Sequence, residues 1–193
     1  MHRRVSFALV AAMASLNILA AAAPQKRGPS LEVTMKYIQD TLNDIGLISF
    51  VATYQQPTDG NNGGLETYHY THRDRFSNFQ ADKSACRIDY HVSLNNDGSK
   101  VDQDRQIPLA DAEDVVVEPE EKYLSDITAA SGNPAFVATS TSPAITALVV
   151  RFRHQRITGA ARLLFTDADR ANHAAKAITH AIELCGGGST DPF

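Results

Sequence analysis

The sequence predicts an α+β domain in which a helix at each end encloses a long run of antiparallel strands. Three observations carry this. Apolar residues recur at helical spacing near both ends, from Leu31 to Ile45 and from Ala168 to Cys185. Between them the pattern changes to short β-branched and aromatic runs in which apolar and polar side chains alternate. Strands and helices do not interleave, which argues against a doubly wound parallel sheet. The expected architecture is an N-terminal helix, an antiparallel curved sheet or partial barrel of about six to eight strands, and a C-terminal helix.

The first 23 residues read as an address rather than as fold. Arg3 and Arg4 give a positive start, an apolar run follows from Val5 to Leu19, and Ala20 to Ala23 supply the small side chains a signal peptidase needs before Pro24. The run is short and alanine-rich, whereas a spanning helix wants about 20 predominantly apolar residues, so a cleaved secretory signal over 1–23 is expected, with no stable membrane span after its removal. Residues 24–29 then form a linker, 30–188 a single domain, and 189–193 a tail. A secreted or periplasmic location follows from this reading.

Each element has its own signature. Ser30 is an N-cap candidate, and Leu31, Met35, Ile38, Leu42 and Ile45 make one apolar stripe, so a helix is expected over 31–45, ended by Gly46. Leu47–Tyr54 fits a strand. Gln55–Gly64, with Pro57, Asp59 and three glycines, fits a loop. Thr67–Phe79 reads as one weak strand followed by a turn. The clearest strand is 85–94: Cys86, Ile88, Tyr90, Val92 and Leu94 fall on one face, and Arg87, Asp89, His91 and Ser93 on the other. Asn95–Gly98 is a hairpin signal, with 100–109 as the return strand. Val115–Val117 is a further strand, bounded by Pro119. Glu120–Ser142 reads as polar and irregular apart from a short strand at Phe136–Ser140. Ile145–His154 and Arg162–Phe165 are strands separated by a turn at Gly159. Thr166 is the N-cap candidate of the last helix, whose stripe ends at Cys185 before Gly186–Gly188. This succession of strands closed by a helix is similar to a pleckstrin-homology-like barrel in topology alone. No motif accompanies the likeness, so it implies no function.

Composition narrows the function classes. The formal net charge is -4, and loss of Arg3 and Arg4 with the signal leaves -6. A mildly acidic chain without a basic run argues against nucleic acid or an anionic membrane face as the main partner. Tryptophan is absent and the aromatics are spread along the chain, so no stacking platform for sugars or bases is expected. There is no Asn-x-Ser/Thr sequon, and no cysteine ends the signal to take a lipid.

Two cysteines remain, Cys86 and Cys185. Both fall on apolar stripes, and export permits oxidation, so a bridge from the strand to the final helix is expected. His69 and His72, with His91 and Asp89, are weak candidates for a zinc or copper site. Their spacing matches no ligand pattern, and strand geometry would send His69 and His72 to opposite sides, which favours surface histidines. His173 and His180 flank the last helical stripe. The Asn95–Asp104 stretch lacks the closing glutamate and flanking helices of an EF-hand and reads as a hairpin tip. Asp111–Asp114 with Glu118, Glu120 and Glu121 forms an acidic stretch, and Arg151, Arg153 and Arg156 a basic one. The plain reading is that the two face each other or decorate the sheet, and the arginines are weak candidates for anion binding. No hydrolase, P-loop or dinucleotide motif is present, and no cofactor is expected.

The resulting expectation is an exported, non-catalytic binding or interaction module, with Gln55–Gly64 and Glu120–Ser142 as contact surfaces. The alternative is a metal-binding protein or hydrolase using a histidine/acid cluster, and a third reading is a structural subunit of the envelope. The partner is unknown.

Overall fold

In the computed structural model of the chain, the first helix, α1, spans Leu31–Asn43, with the Ser30 hydroxyl accepting from the Val33 amide at 3.4 Å and Met35, Ile38 and Leu42 buried. The structure describes residues 28–58, 64–96, 99–133, 135–153 and 160–188. The expected signal, most of the linker, the tip of the Gln55–Gly64 loop, the Asp97-Gly98 turn, Arg156, the Gly159 turn and the tail lie outside them. Gly46 follows α1 at φ +65, where a side chain would be strained.

Eight antiparallel strands follow: β1 Leu47–Pro57, β2 Leu65–Asp82, β3 Arg87–Asn96, β4 Ser99–Pro108, β5 Ala112–Glu118, β6 Val137–Ser142, β7 Thr146–Phe152 and β8 Ala161–Phe165. They divide into a five-stranded sheet ordered β4-β3-β2-β1-β6 and a three-stranded sheet ordered β5-β7-β8. Neither closes into a barrel, and the strands lie in two sheets. A third helix in chain order, α3, spans Ala168–Leu184 and packs on α1, β5 and β7.

β2 is far longer than the weak strand expected, and it extends to both sides of that window. Gln55–Pro57 belong to β1 instead of the loop, because Gln55 pairs with Thr67 and Pro57 with Leu65. A bulge between Ser77 and Gln80, with Asn78 at φ 56, resets which side chains face inward. Before it the buried residues are Asp74 and Phe76; within it, Phe79.

The largest correction falls on Glu120–Ser142. Glu120–Ala130 is a helix, α2, seated against β6 and β7. Glu120 and Glu121 suit its positive end, and Tyr123 and Leu124 are its buried anchors. Glu120 accepts from the amide and hydroxyl of Thr141 at 2.5 and 2.6 Å, and the Thr128 hydroxyl accepts from the Ala138 amide at 2.9 Å, which fastens α2 to β6.

Cys86 also moves. It does not lie within a strand: the Asp82 carboxylate accepts from the Ser84 amide and hydroxyl and the Ala85 amide (2.8, 2.6 and 3.1 Å), building a tight turn that ends on Cys86 at φ 48. The alternation of 88, 90 and 92 holds, and Ile88, Tyr90 and Val92 are buried. Cys86 is joined to Cys185, the C-cap of α3, with the two Cα atoms 5.8 Å apart. The cap of α3 at its other end is Asp167, not Thr166: its carboxylate accepts from the Asp169 and Arg170 amides at 2.9 and 3.2 Å.

Candidate functional site

The inner face of the five-stranded sheet follows from register. β1 buries Ile48, Phe50, Ala52 and Tyr54, and their partners on β2 are Asp74, His72, Tyr70 and Tyr68. On the other side Asp74 pairs with Leu94 and Phe76 with Val92. A carboxylate is thereby placed between Ile48 and Leu94 on an otherwise apolar and aromatic surface. Asp74 is only 4% exposed, and its Oδ1 has no hydrogen-bond partner among the described residues. Burial pushes its carboxyl up from the ordinary 3.8 to about 6.

Above Asp74 lies a cavity of about 370 Å³, between the inner faces of β2, β3 and β4 and the edge strand β8, with α2 beside it. Phe76, Val92, Leu94, Phe152 and Leu164 supply its apolar walls, and Tyr90, Gln103, Arg105, Tyr123 and Arg162 its polar groups. Tyr123 is held edge-on against Phe50 at 6.2 Å and beneath the Arg162 guanidinium at 5.9 Å; burial, then the nearby Asp74, pushes its hydroxyl above the ordinary tyrosine range. Burial does the same to Tyr90, which stacks on Phe79 at 5.2 Å.

Arg162 is not free to neutralise Asp74. It donates to the nearly buried Glu118 at 3.2 Å and to Asp126 of α2 at 2.5 Å. Asp126 also pairs with Lys122, and that hydrogen bond is the main reason its carboxyl is held low. These ion pairs fix the wall between β5, β8 and α2. They occupy Arg162, and among the described residues no Lys or Arg is ion-paired with Asp74 at the cavity floor. Chemically, such a floor can accept hydrogen bonds, pair with a cation or hold a proton near pH 6.

A comparison of the chain with protein-family models, curated proteins and solved structures returns no match.

The residues singled out by sequence are scattered around this cleft. His69 is exposed on the outer face beside Thr53, with Nδ1 and the hydroxyl 3.3 Å apart. His72 is on the inner face, stacked on Phe50 at 4.6 Å. His91 pairs across from Ser77 on the outer face, eight residues along β2 from His69, or about 26 Å of strand. It is bracketed by Asp104 at 2.9 Å and Asp102 at 2.5 Å, which raise its pKa, with Asp104 the larger cause. Asp89 turns to Arg87 instead. Among the described residues no group of three or more His, Cys, Asp or Glu is placed to hold a metal ion. His180 bonds the Pro29 carbonyl at 2.9 Å, and His173 is exposed.

The acidic and basic stretches do meet: Arg151 contacts Asp114 at 3.3 Å and Glu118 at 3.6 Å. Arg153 contributes its backbone amide to the Asp111 carbonyl at 3.0 Å, and Arg156 lies outside the described residues. Arg162, the partner that matters most to the cleft, escaped the sequence reading.

The aromatics, dispersed in sequence, converge in space. Antiparallel pairing sets Tyr54 opposite Tyr68, and Phe136 stacks on Tyr54 at 4.5 Å with Tyr70 edge-on at 5.3 Å. Asp74 was missed for a plain reason. In the run Arg73-Asp74-Arg75 it reads as a surface charge, and its one signal was sharing parity with Tyr68, Tyr70 and His72.

Proposed function

We propose that this protein is an exported, non-catalytic binding module whose ligand seats in the cleft between the two sheets. The observation that carries the proposal is the buried Asp74 carboxylate in a cavity that combines apolar walls with several convergent polar groups, the combination that small-molecule sites use to hold and orient a ligand. Export is supported by the residue pattern of 1–23 and by the Cys86–Cys185 bridge, a bond that persists in oxidising compartments. Among the described residues no helix is long and apolar enough to cross a membrane.

The test is fluorescence titration with N-phenyl-1-naphthylamine, a neutral apolar probe. Saturable, one-to-one enhancement is expected, weakened at least about tenfold by Leu94→Trp, which would fill the cavity beside Asp74. No saturable binding, or binding indifferent to Leu94→Trp, would overturn the proposal. Export is tested separately by sequencing the N-terminus of protein recovered outside the cytoplasm. A start near Ala23 or Pro24 is expected, and an intact Met1 would refute it.

A further inference from the structure

We infer that the cleft takes a molecule with an apolar, ring-sized body and a cationic amino head, the head seated on the Asp74 carboxylate. The inference rests on the cleft being a binding site and adds the chemistry of what it binds.

A carboxylate withdrawn from water needs donors in return, and leaving it without them is costly. The fold does not supply them: Oδ1 of Asp74 has no hydrogen-bond partner among the described residues, while its strand neighbours across the sheet are Ile48 and Leu94. Neither of the two arginines that line the cavity is ion-paired with Asp74. Arg162 is held by Glu118 and Asp126. With its amide oxygen turned toward Arg105, Gln103 accepts from that guanidinium at 3.2 and 2.7 Å. Among the described residues no Lys or Arg is ion-paired with Asp74, an opening that the cationic head of a ligand would fill.

The rest of the cavity agrees. Tyr90, Tyr123, Phe76 and Phe152 bring aromatic side chains to its lining, and aromatic surroundings suit an ammonium as well as an apolar body. A volume of about 370 Å³ lies near the small end of ligand-pocket sizes, with room for a compact aromatic amine. An anion would meet Asp74 at the floor, and a neutral hydroxyl would satisfy one lone pair while leaving the charge uncompensated.

Calorimetric titration with 2-phenylethylamine, 2-phenylethanol and 3-phenylpropionate at pH 7.5 separates these heads on one body, with N-phenyl-1-naphthylamine binding measured in parallel. The amine is expected to bind at least about tenfold tighter than the alcohol, and the carboxylate weakest. Asp74→Asn should level amine and alcohol while leaving the naphthylamine probe bound, and Leu94→Trp should abolish amine binding with the carboxylate intact. Equal affinity for amine and alcohol in the unaltered protein, or an amine preference that survives Asp74→Asn, would overturn the inference while the cleft still takes the probe. Loss of probe and amine binding together would instead remove the underlying reading, and the inference with it.

Discussion

The carboxamide of Asn43 and the backbone of Phe79 hold each other through two hydrogen bonds, Nδ2 donating to the Phe79 carbonyl at 3.0 Å and the Phe79 amide donating to Oδ1 at 2.9 Å. The pair joins the end of α1 to the β2 bulge, and Gln39 adds a bond from the Ala81 amide at 3.0 Å. Through the bulge it decides that Phe79 turns inward behind Asp74 and Phe76. Asn43→Leu is expected to cost about 2 kcal/mol, because both backbone groups lose their partner at once. Urea unfolding would measure it; a cost below about 0.5 kcal/mol would show that the bulge does not depend on this clamp.

Asp74 makes stability depend on pH in an unusual direction. The folded protein holds this proton more tightly than the unfolded chain, so the contribution of Asp74 to stability is greatest below 3.8, falls as pH rises to about 6, and then levels. The span corresponds to an upper figure on the order of 3 kcal/mol at neutral pH. Asp74→Asn should therefore raise the melting temperature at pH 7.5 and leave it nearly unchanged at pH 4. Equal effects at the two pH values would show that the carboxylate is not desolvated.

The Cys86–Cys185 bridge closes a loop with a sequence separation of 99, for which chain-entropy arguments give roughly 4–5 kcal/mol as an upper figure. Cys86→Ser with Cys185→Ser should lower the denaturation midpoint without altering the fold, and non-reducing peptide mapping should recover both cysteines in one linked peptide. Free thiols at both positions would dismiss the bridge.

Gly187 has no room for a side chain. A Cβ there would lie 2.3 Å from the Leu109 carbonyl oxygen and 2.7 Å from Ile182 Cγ2. Gly187→Ala is expected to destabilise by more than about 3 kcal/mol, since the obstacle is backbone. Gly186→Ala meets no atom within 4 Å and is opposed only by its positive φ of 79, so it should cost less. Thermal melts of the two variants test the order.

What sequence alone could reach depended on periodicity. α1, α3 and the inward set Ile88, Tyr90 and Val92 carry long, regular patterns and were legible. α2 was not, because Tyr123 and Leu124 are its only buried residues, and the other nine, among them Lys122, three acids, a serine and a threonine, leave the apolar stripe too thin to show a period. Cys86 kept the right parity for the wrong reason: a side-chain turn around Asp82, invisible to alternation, places it. The cleft was the least legible part. It depends on register, which brings residues far apart in the chain to one face, and on Glu118 and Asp126 claiming Arg162. A charge in a polar run gives no sign that its neighbours across the sheet are Ile48 and Leu94.

β7 has a neighbour on either edge, and Leu148, Val149 and Val150 are at most 3% exposed whichever way they point. Deuterium can reach their amides only when the molecule opens throughout, so their exchange is a clock for global unfolding. Read beside the exchange of β2 and β8, which can be as slow but no slower, it would tell an occupant that tightens the whole body from one that tightens only the walls around itself.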